Sequence, residues 1–317
     1  MVALQLQDKK RMMMDIKAKW IAADWGTTHM RAWAIGDNDS VLAYRESNEG
    51  MKDLQQNEFE PVLLRLIENW LDDNKVTNVM ACGMVGAKQG WVETPYLKVP
   101  CVPIDNSQLT IASTKNTHIK VYLVPGVMQH QPADIMRGEE TQIAGFINEN
   151  PNFNGVVCLP GTHAKWVSIK NRHITNFKTY MTGELFGVIS NHTLIRHSTS
   201  IKGWNQASFE IGVHEGFENP GSIGSDLFSL RSESIVNDLD RDEARSRLSG
   251  LLLGLELNGA QSYWKNNNVT LIGSELLSNN YHQGLKILGG ESQLFSLEAA
   301  TLSGLSSAYK ELNSDSE

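Results

Sequence analysis

Residues 22–33 read "AADWGTTHMRAW": an Asp, a Gly and two Thr end an apolar run. The flanking "KWIAA" and "MRAWAI" suit buried strands, so the polar insert is a turn. A turn that only reverses the chain needs no more than Asn-Gly or Asp-Gly. This one carries a carboxylate at Asp24, a Gly26 that admits close backbone approach, and hydroxyl donors at Thr27 and Thr28. Those are the parts of a site for a metal-bound phosphate.

The device is repeated. "WIAADWGTTHMRAWAIGDNDSVLAY" (20–44) and "GVVCLPGTHAKWVSIKNRHITNFKTY" (155–180) share one order: apolar strand, Gly-Thr turn, Trp-bearing strand, polar turn, third strand. The repeat suggests two related domains facing each other; two unrelated hairpins with Gly-Thr turns are the alternative. Paired turns suit a triphosphate, because each offers backbone N–H groups and hydroxyls to the β- and γ-phosphate oxygens. Asp24 could then hold Mg²⁺, and closure of the domains would exclude water and favour transfer over hydrolysis.

The elements that must position these turns follow from hydrophobic spacing. Strands are expected at 20–24, 30–35 and 41–46, with "GDND" (36–39) turning the last two. "NEFEPVLLRLIENWLDD" (57–73) places Phe59, Val62, Leu63, Leu66, Ile67, Trp70 and Leu71 on one helical face. A strand at 76–82 leads into the Gly-rich loop 82–91. Beyond the second hairpin set, helices are expected at 183–195, 208–218 and 242–265, then a strand at 268–273 and helices near 275–287 and 294–312. The glycines of "GLLLGLELNGAQSYW" (250–264) read as sites of close helix packing.

Composition narrows the function. A chain of 317 residues holds two domains of ordinary size. A net charge of −8 and a pI near 5.6 oppose a nucleic-acid binder, whose footprint would be basic. No apolar run approaches the roughly 18 residues of a membrane helix. Cys82, Cys101 and Cys158 lie far apart without a CxxC pair, which suits reduced thiols in a cytosol without excluding one disulfide. "MVALQLQDKKRMMMDIK" lacks the apolar core of a signal peptide, so the first 13 residues read as a tail or an upstream start ahead of Met14. A cytoplasmic protein is expected. The P-loop, nucleophile-elbow and H-E-x-x-H patterns are absent from the sequence.

The stretches "DWGTTHMRAW", "PGTHAKW", "MTGEL" and "MRGEETQIAG" resemble sugar kinases of the actin/hexokinase-like superfamily. With "GMVGAKQGWVETPYLKVP" (83–100) the likeness narrows to the 2-dehydro-3-deoxygalactonokinase family and runs from about residue 19 to 309. The resemblance implies an α/β fold of two ribonuclease-H-like domains with an ATP cleft between them. It divides the chain into a tail (1–18), an N-terminal domain (19–143) and a C-terminal domain (144–312). Asp24, Gly26, Thr27, Thr28 and Arg31 match the first phosphate loop, with Asp24 as the magnesium ligand; His29 stands where the family pattern has Asn. Gly161, Thr162 and His163 match the second loop. "LIGSELLS" (271–278) matches the nucleoside-binding turn, making Gly273 and Ser274 candidates for contacting adenosine. "RGEETQIAG" resembles the helix start that carries the catalytic base in glycerol kinase-type enzymes, and Glu139 takes that position.

The acceptor implied is a 2-keto-3-deoxy sugar acid, 2-dehydro-3-deoxy-D-galactonate, phosphorylated at O6 with ATP and Mg²⁺. Its acid end is expected on the N-terminal domain, where "NEGM" (Glu49, Gly50) and loop 83–91 leave strand-like segments. There Lys88 could pair with the carboxylate, N–H groups near Gly86 could donate to it, and Trp91 could stack on the carbon chain. Each assignment has a simpler reading: Asp24 as a turn former, Glu139 and Glu140 as first-turn helix acids, His163 bonded to a neighbour, Lys88 solvated on a surface loop. Glu140 is expected to be the structural acid of the pair. A kinase of the same fold for another sugar, or a non-catalytic actin-like nucleotide or sugar sensor, are the other readings.

Overall fold

The computed structural model describes residues 16–314, which divide into two compact units: residues up to Pro151 together with Glu298 onward, and Asn152–Leu297. The expected upstream start over residues 1–13 lies outside the described residues. Ile16–Ala18 are not tail: Ala18 is fully buried, its N–H bonds the Trp70 carbonyl at 2.9 Å, and Lys17 Nζ bonds that of Leu71 at 2.6 Å.

In the first unit, strands β1 (Trp20–Trp25), β2 (Met30–Ile35) and β3 (Val41–Ser47) form an antiparallel meander. Helix α1 (Phe59–Ile67) follows, then β4 (Thr77–Gly83), which pairs parallel to β1. Short strands β5 (Tyr96–Lys98), β6 (Thr110–Ala112), β7 (Ile119–Leu123), β8 (Gly126–His130) and β9 (Ala133–Met136) precede helix α2 (Glu139–Glu149). The main sheet runs β3-β2-β1-β4-β7-β6, and β5-β8-β9 make a small second sheet. Strand β1 is buried on both faces because its apolar residues occupy both pleat directions. Ile21, Ala23 and Trp25 join a core with Phe59, Val62, Leu63 and Ile67 of α1. Trp20 and Ala22 join Leu305 and Ala308 of the last helix.

The second unit repeats the plan: an antiparallel meander β10 (Gly155–Leu159), β11 (Ala164–Lys170), β12 (His173–Tyr180), then β13 (Val269–Gly273) and β14 (Ser292–Ser296) added in parallel. Between them lie α3 (Thr182–His192), α4 (Gln206–Glu218), α5 (Ile223–Val236) and α6 (Arg241–Gly259); α7 (Glu275–Ile287) joins β13 to β14. The expected glycine packing is present. A Cβ on Gly250 or Gly254 would lie 2.2 Å from a backbone carbonyl oxygen of α4, so only hydrogen lets the two helices approach.

The division differs from the expected 143/144. Helix α8 (Leu297–Ser314), which sequence placed in the second domain, belongs from Glu298 on to the first unit. The cause is a long-range helix crossing: a Cβ on Gly304 would meet the Thr141 carbonyl oxygen of α2 at 2.0 Å, and one on Gly145 the Ala300 oxygen at 1.9 Å. The stretch from 292 to 296, expected to begin that helix at 294, is strand β14 instead.

Candidate active site

The first Gly-Thr turn links β1 to β2 and is closed by Gly26 N–H bonding the His29 carbonyl at 2.8 Å. It is braced from behind by "NEGM". Met51 N–H bonds the Gly26 carbonyl and Lys52 N–H the Thr27 carbonyl, each at 3.1 Å. Gly50 must be glycine, since a Cβ there would lie 2.3 Å from Thr27 O and the Thr28 backbone. Glu49 accepts Trp25 Nε1–H on its carbonyl at 3.0 Å, and its carboxylate pairs with Arg65. Expected as acceptor ligands, Glu49 and Gly50 instead brace the Gly26–Thr28 turn.

Asp24 sits at the end of β1, opposite Cys82 in the parallel register with β4. Its Oδ2 pairs with Arg31, whose guanidinium also lies 5.6 Å from the Trp33 ring. Burial opposes the Arg31 charge, but Asp24 outweighs it and raises the pKa. Asp24 Oδ1 accepts the weak Cys82 thiol donor, at 3.8 Å. Burial, and then the charges of Asp24 and Glu140, push that thiol well up. Among the described residues no group of three or more His, Cys, Asp or Glu side chains could cage a metal. A single carboxylate at the end of β1, its side chain 12% exposed, fits magnesium, which keeps waters and substrate phosphates as most of its shell.

The start of α2 is brought to the same edge. Gly83 (φ 91°) ends β4 beside Asp24, and a Cβ on Gly138 (φ 108°) would lie 3.2 Å from the Gly83 Cα. Both glycines occupy the left-handed half of backbone space that other residues avoid. Asp24 and the N-terminus of α2 thus meet at the carboxyl ends of two parallel strands, where open α/β sheets place ligands. Glu139 is half-buried and its Oε2 accepts Arg137 N–H at 3.0 Å. Glu140 is fully buried, takes Gly138 N–H on both oxygens (2.9 and 2.7 Å) and accepts the Thr141 hydroxyl at 3.1 Å. Burial first, then the Glu139 charge, raises the Glu140 carboxyl to about 7. The pair divides as expected in one respect: Glu140 is a cap inside the core.

Loop 83–91 gives a mixed result. Lys88 is exposed and lines a concavity of about 570 Å³ with Met51, Lys52 and Gln55, directly beyond the braced turn. Trp91 is a correction: it is 5% exposed, in ring contact with Trp25 and Phe59, so its face belongs to the core and not to a ligand. Gly86 is buried too, and a Cβ there would meet Thr94 Oγ1 at 2.8 Å; it packs rather than faces solvent. Lys52, which sequence reasoning passed over, is the second cation of this concavity.

The second turn copies the first. Gly183 stands to Gly161 as Gly50 stands to Thr27, with 2.3 Å between a would-be Cβ and the Gly161 carbonyl oxygen. Glu184 N–H bonds the Thr162 carbonyl at 2.9 Å. The His163 imidazole bonds the Glu184 carboxylate at 2.6 Å. Gly273 lies beside this loop, 3.1 Å from Pro160 O measured to a would-be Cβ, and Ser274 opens α7 without a side-chain cap. Beside them is a pocket of about 600 Å³ lined by Gly161, Thr162, Thr182, Phe186, Trp204 and Arg245, with the first turns of α7. Arg245 stacks on Phe186 at 4.9 Å. Phe186, Trp204 and Arg245 lie on separate elements with no shared motif, so spacing alone carried no sign of them.

The profile of the family described as 2-keto-3-deoxy-galactonokinase matches residues 24–308. A protein of Rhizobium meliloti named as a 2-dehydro-3-deoxygalactonokinase (DgoK1) is 33% identical, with 92% of this chain and 96% of the relative covered. The 2-dehydro-3-deoxygalactonokinase of Escherichia coli K12 is 32% identical over 92% of this chain and 97% of its own length. A solved structure from Sinorhizobium meliloti, described as a protein of the same kind, superposes with a TM-score of 0.85 over 92% of this chain and 96% of that one, at 33% identity.

Proposed function

The chain belongs to the 2-keto-3-deoxy-galactonokinase family, and on that premise we propose that it transfers the γ-phosphoryl group of ATP to O6 of 2-dehydro-3-deoxy-D-galactonate. The observation that carries this reading is the meeting of Asp24 and the Glu139 helix start at the carboxyl ends of β1 and β4. A carboxylate for a phosphate-held metal and a carboxylate for a hydroxyl proton are what phosphoryl transfer to an alcohol requires.

The roles divide by unit. On the first, Gly26, Thr27 and Thr28 offer N–H and hydroxyl donors to phosphate oxygens, Arg31 pairs with Asp24, and Asp24 would hold the magnesium that accompanies ATP. Magnesium supplies charge neutralisation on the phosphates. Glu139 accepts the proton of the attacking hydroxyl. Lys88 and Lys52 give the concavity beyond the turn the charge a sugar-acid carboxylate needs. On the second unit, Gly161, Thr162 and His163 take phosphate oxygens, while Gly273, Ser274 and the pocket against Phe186 and Trp204 take the nucleoside. Three free thiols, and no described helix long and apolar enough to cross a membrane, fit a cytoplasmic home.

The test is ADP release from ATP against a panel of keto-deoxy sugar acids, their C4 epimers and plain hexoses. Turnover confined to the keto-deoxy acids supports the reading. Hexose turnover alone would overturn the substrate, and no turnover with any acceptor would favour a nucleotide or sugar sensor.

A further inference from the structure

Glu256 of α6 is the most deeply placed carboxylate of the second unit, 1% exposed, and it gathers donors from three other elements. Its Oε1 accepts Trp166 Nε1–H of β11 at 2.7 Å. Its Oε2 accepts the Tyr281 hydroxyl of α7 at 2.8 Å and also the hydroxyl of Thr182, the first residue of α3. Burial raises its pKa, and the hydrogen bonds from Thr182, Trp166 and Tyr281 offset part of that rise. Thr182 and Tyr281 both line the 600 Å³ pocket. Thr182 also precedes Gly183, which lies against the second phosphate turn.

We propose that Glu256 is a positioning residue for nucleotide binding: it takes the hydrogens of the Thr182 and Tyr281 hydroxyls, so that both oxygens meet the pocket as acceptors. The inference rests on the pocket being the nucleoside site. A hydroxyl has one hydrogen and two lone pairs. With each hydrogen directed to Glu256, what remains toward the ligand is acceptor capacity, which selects for donors. Because Thr182 adjoins the phosphate turn, the donors at that end are ribose hydroxyls rather than the base. Trp166 fixes the arrangement, since an indole N–H can only donate and must find Oε1.

Glu256→Gln keeps the shape and reverses the hydrogen bonds. The amide oxygen still accepts Trp166, but its NH₂ faces Thr182 and Tyr281, which then accept and turn their hydrogens into the pocket. The experiment measures KM for ATP and for 2′-deoxy-ATP, kcat at saturating substrates, KM for the acceptor, and the melting temperature. Expected is a rise of about tenfold in KM for ATP, the worth of one ordinary hydrogen bond, with the preference over 2′-deoxy-ATP lost. The melting temperature, kcat and acceptor KM should hold, and Thr182→Val should reproduce the loss. A fall in kcat and melting temperature with the ATP to 2′-deoxy-ATP ratio intact would make Glu256 merely structural and overturn the proposal. Trp204→Ala, in the same pocket, separates the two layers. If it raises KM for ATP while Glu256→Gln does not, this inference fails and the pocket assignment stands; if neither variant moves it, both fail.

Discussion

Replacing Gly50 by Ala would set a Cβ 2.3 Å from Thr27 O, Thr28 Cα and Thr28 C, all of them backbone atoms that cannot swing aside. To restore ordinary contact, the "NEGM" segment or the phosphate turn must retreat by about 1 Å. That movement disrupts the two braces, Met51 N–H to Gly26 O and Lys52 N–H to Thr27 O. Two hydrogen bonds at about 1 kcal/mol each amount to about 2 kcal/mol, or roughly 5 °C in melting temperature for a unit of this size. Activity should fall further, because a displacement of about 1 Å at a positioning group costs on the order of a hundredfold. Gly224→Ala serves as control: it lies in the first turn of α5 with nothing within 4 Å of the new methyl and should be neutral or slightly stabilising. Thermal melts and ADP release on the two variants decide it. Wild-type kcat and melting temperature in Gly50→Ala would refute the bracing role.

Other outcomes follow from the same geometry. If Asp24 holds magnesium as proposed, Asp24→Asn removes one charge from the metal's shell and should nearly abolish turnover while the circular dichroism stays native; near-normal kcat would refute that assignment. Lys88→Ala should raise KM for the acid acceptor and leave KM for ATP alone, and equal effects on both would mean misfolding. Glu140 has a folded pKa of about 7, raised above its ordinary 4.5, so its contribution to stability is full at low pH and is lost as pH rises toward 7. The loss is on the order of 3 kcal/mol. In Glu140→Gln that pH dependence should vanish, so the gap in melting temperature between wild type and variant should shift in the variant's favour from pH 5 to pH 8. An unchanged gap would mean that Glu140 titrates as an ordinary carboxyl.

The strands and turns that carry the two Gly-Thr loops were legible because their signals are local. Apolar runs buried on both faces, interrupted by Gly-Thr, fix β1, β2, β10 and β11, and the 3.6-residue spacing of Phe59, Val62, Leu63 and Ile67 fixes α1. The short strands between 96 and 136 have three to five residues each and show little periodicity, so nothing in the sequence separated them from loop. Strand β14, "SQLFS", is half-exposed at a sheet edge and reads as easily as the start of a helix. What sequence missed most was mutual. Gly50 and Gly183 are recognisable as braces only when the two meanders are laid side by side, each brace following its third strand. Trp91 looked like a ligand platform because aromatic rings in Gly-rich loops often are; its contact with Trp25 and Phe59 is long-range and left no local trace. The place of α8 depends on Gly145 meeting Ala300, 155 positions apart in the chain.

In the proposed reaction Glu139 bears the heaviest chemical role. A sugar hydroxyl keeps its proton at neutral pH, so transfer needs a positioned acceptor within about 3 Å, and such bases contribute 10²–10⁴-fold. Glu139 stands at the first position of α2. The direct measurement is kcat and KM for ATP in Glu139→Gln, assayed by ADP release with 2-dehydro-3-deoxy-D-galactonate. The account predicts a fall in kcat of roughly two orders of magnitude or more, with KM for ATP little changed. Retention of most of the wild-type kcat would contradict it and move the base away from this helix.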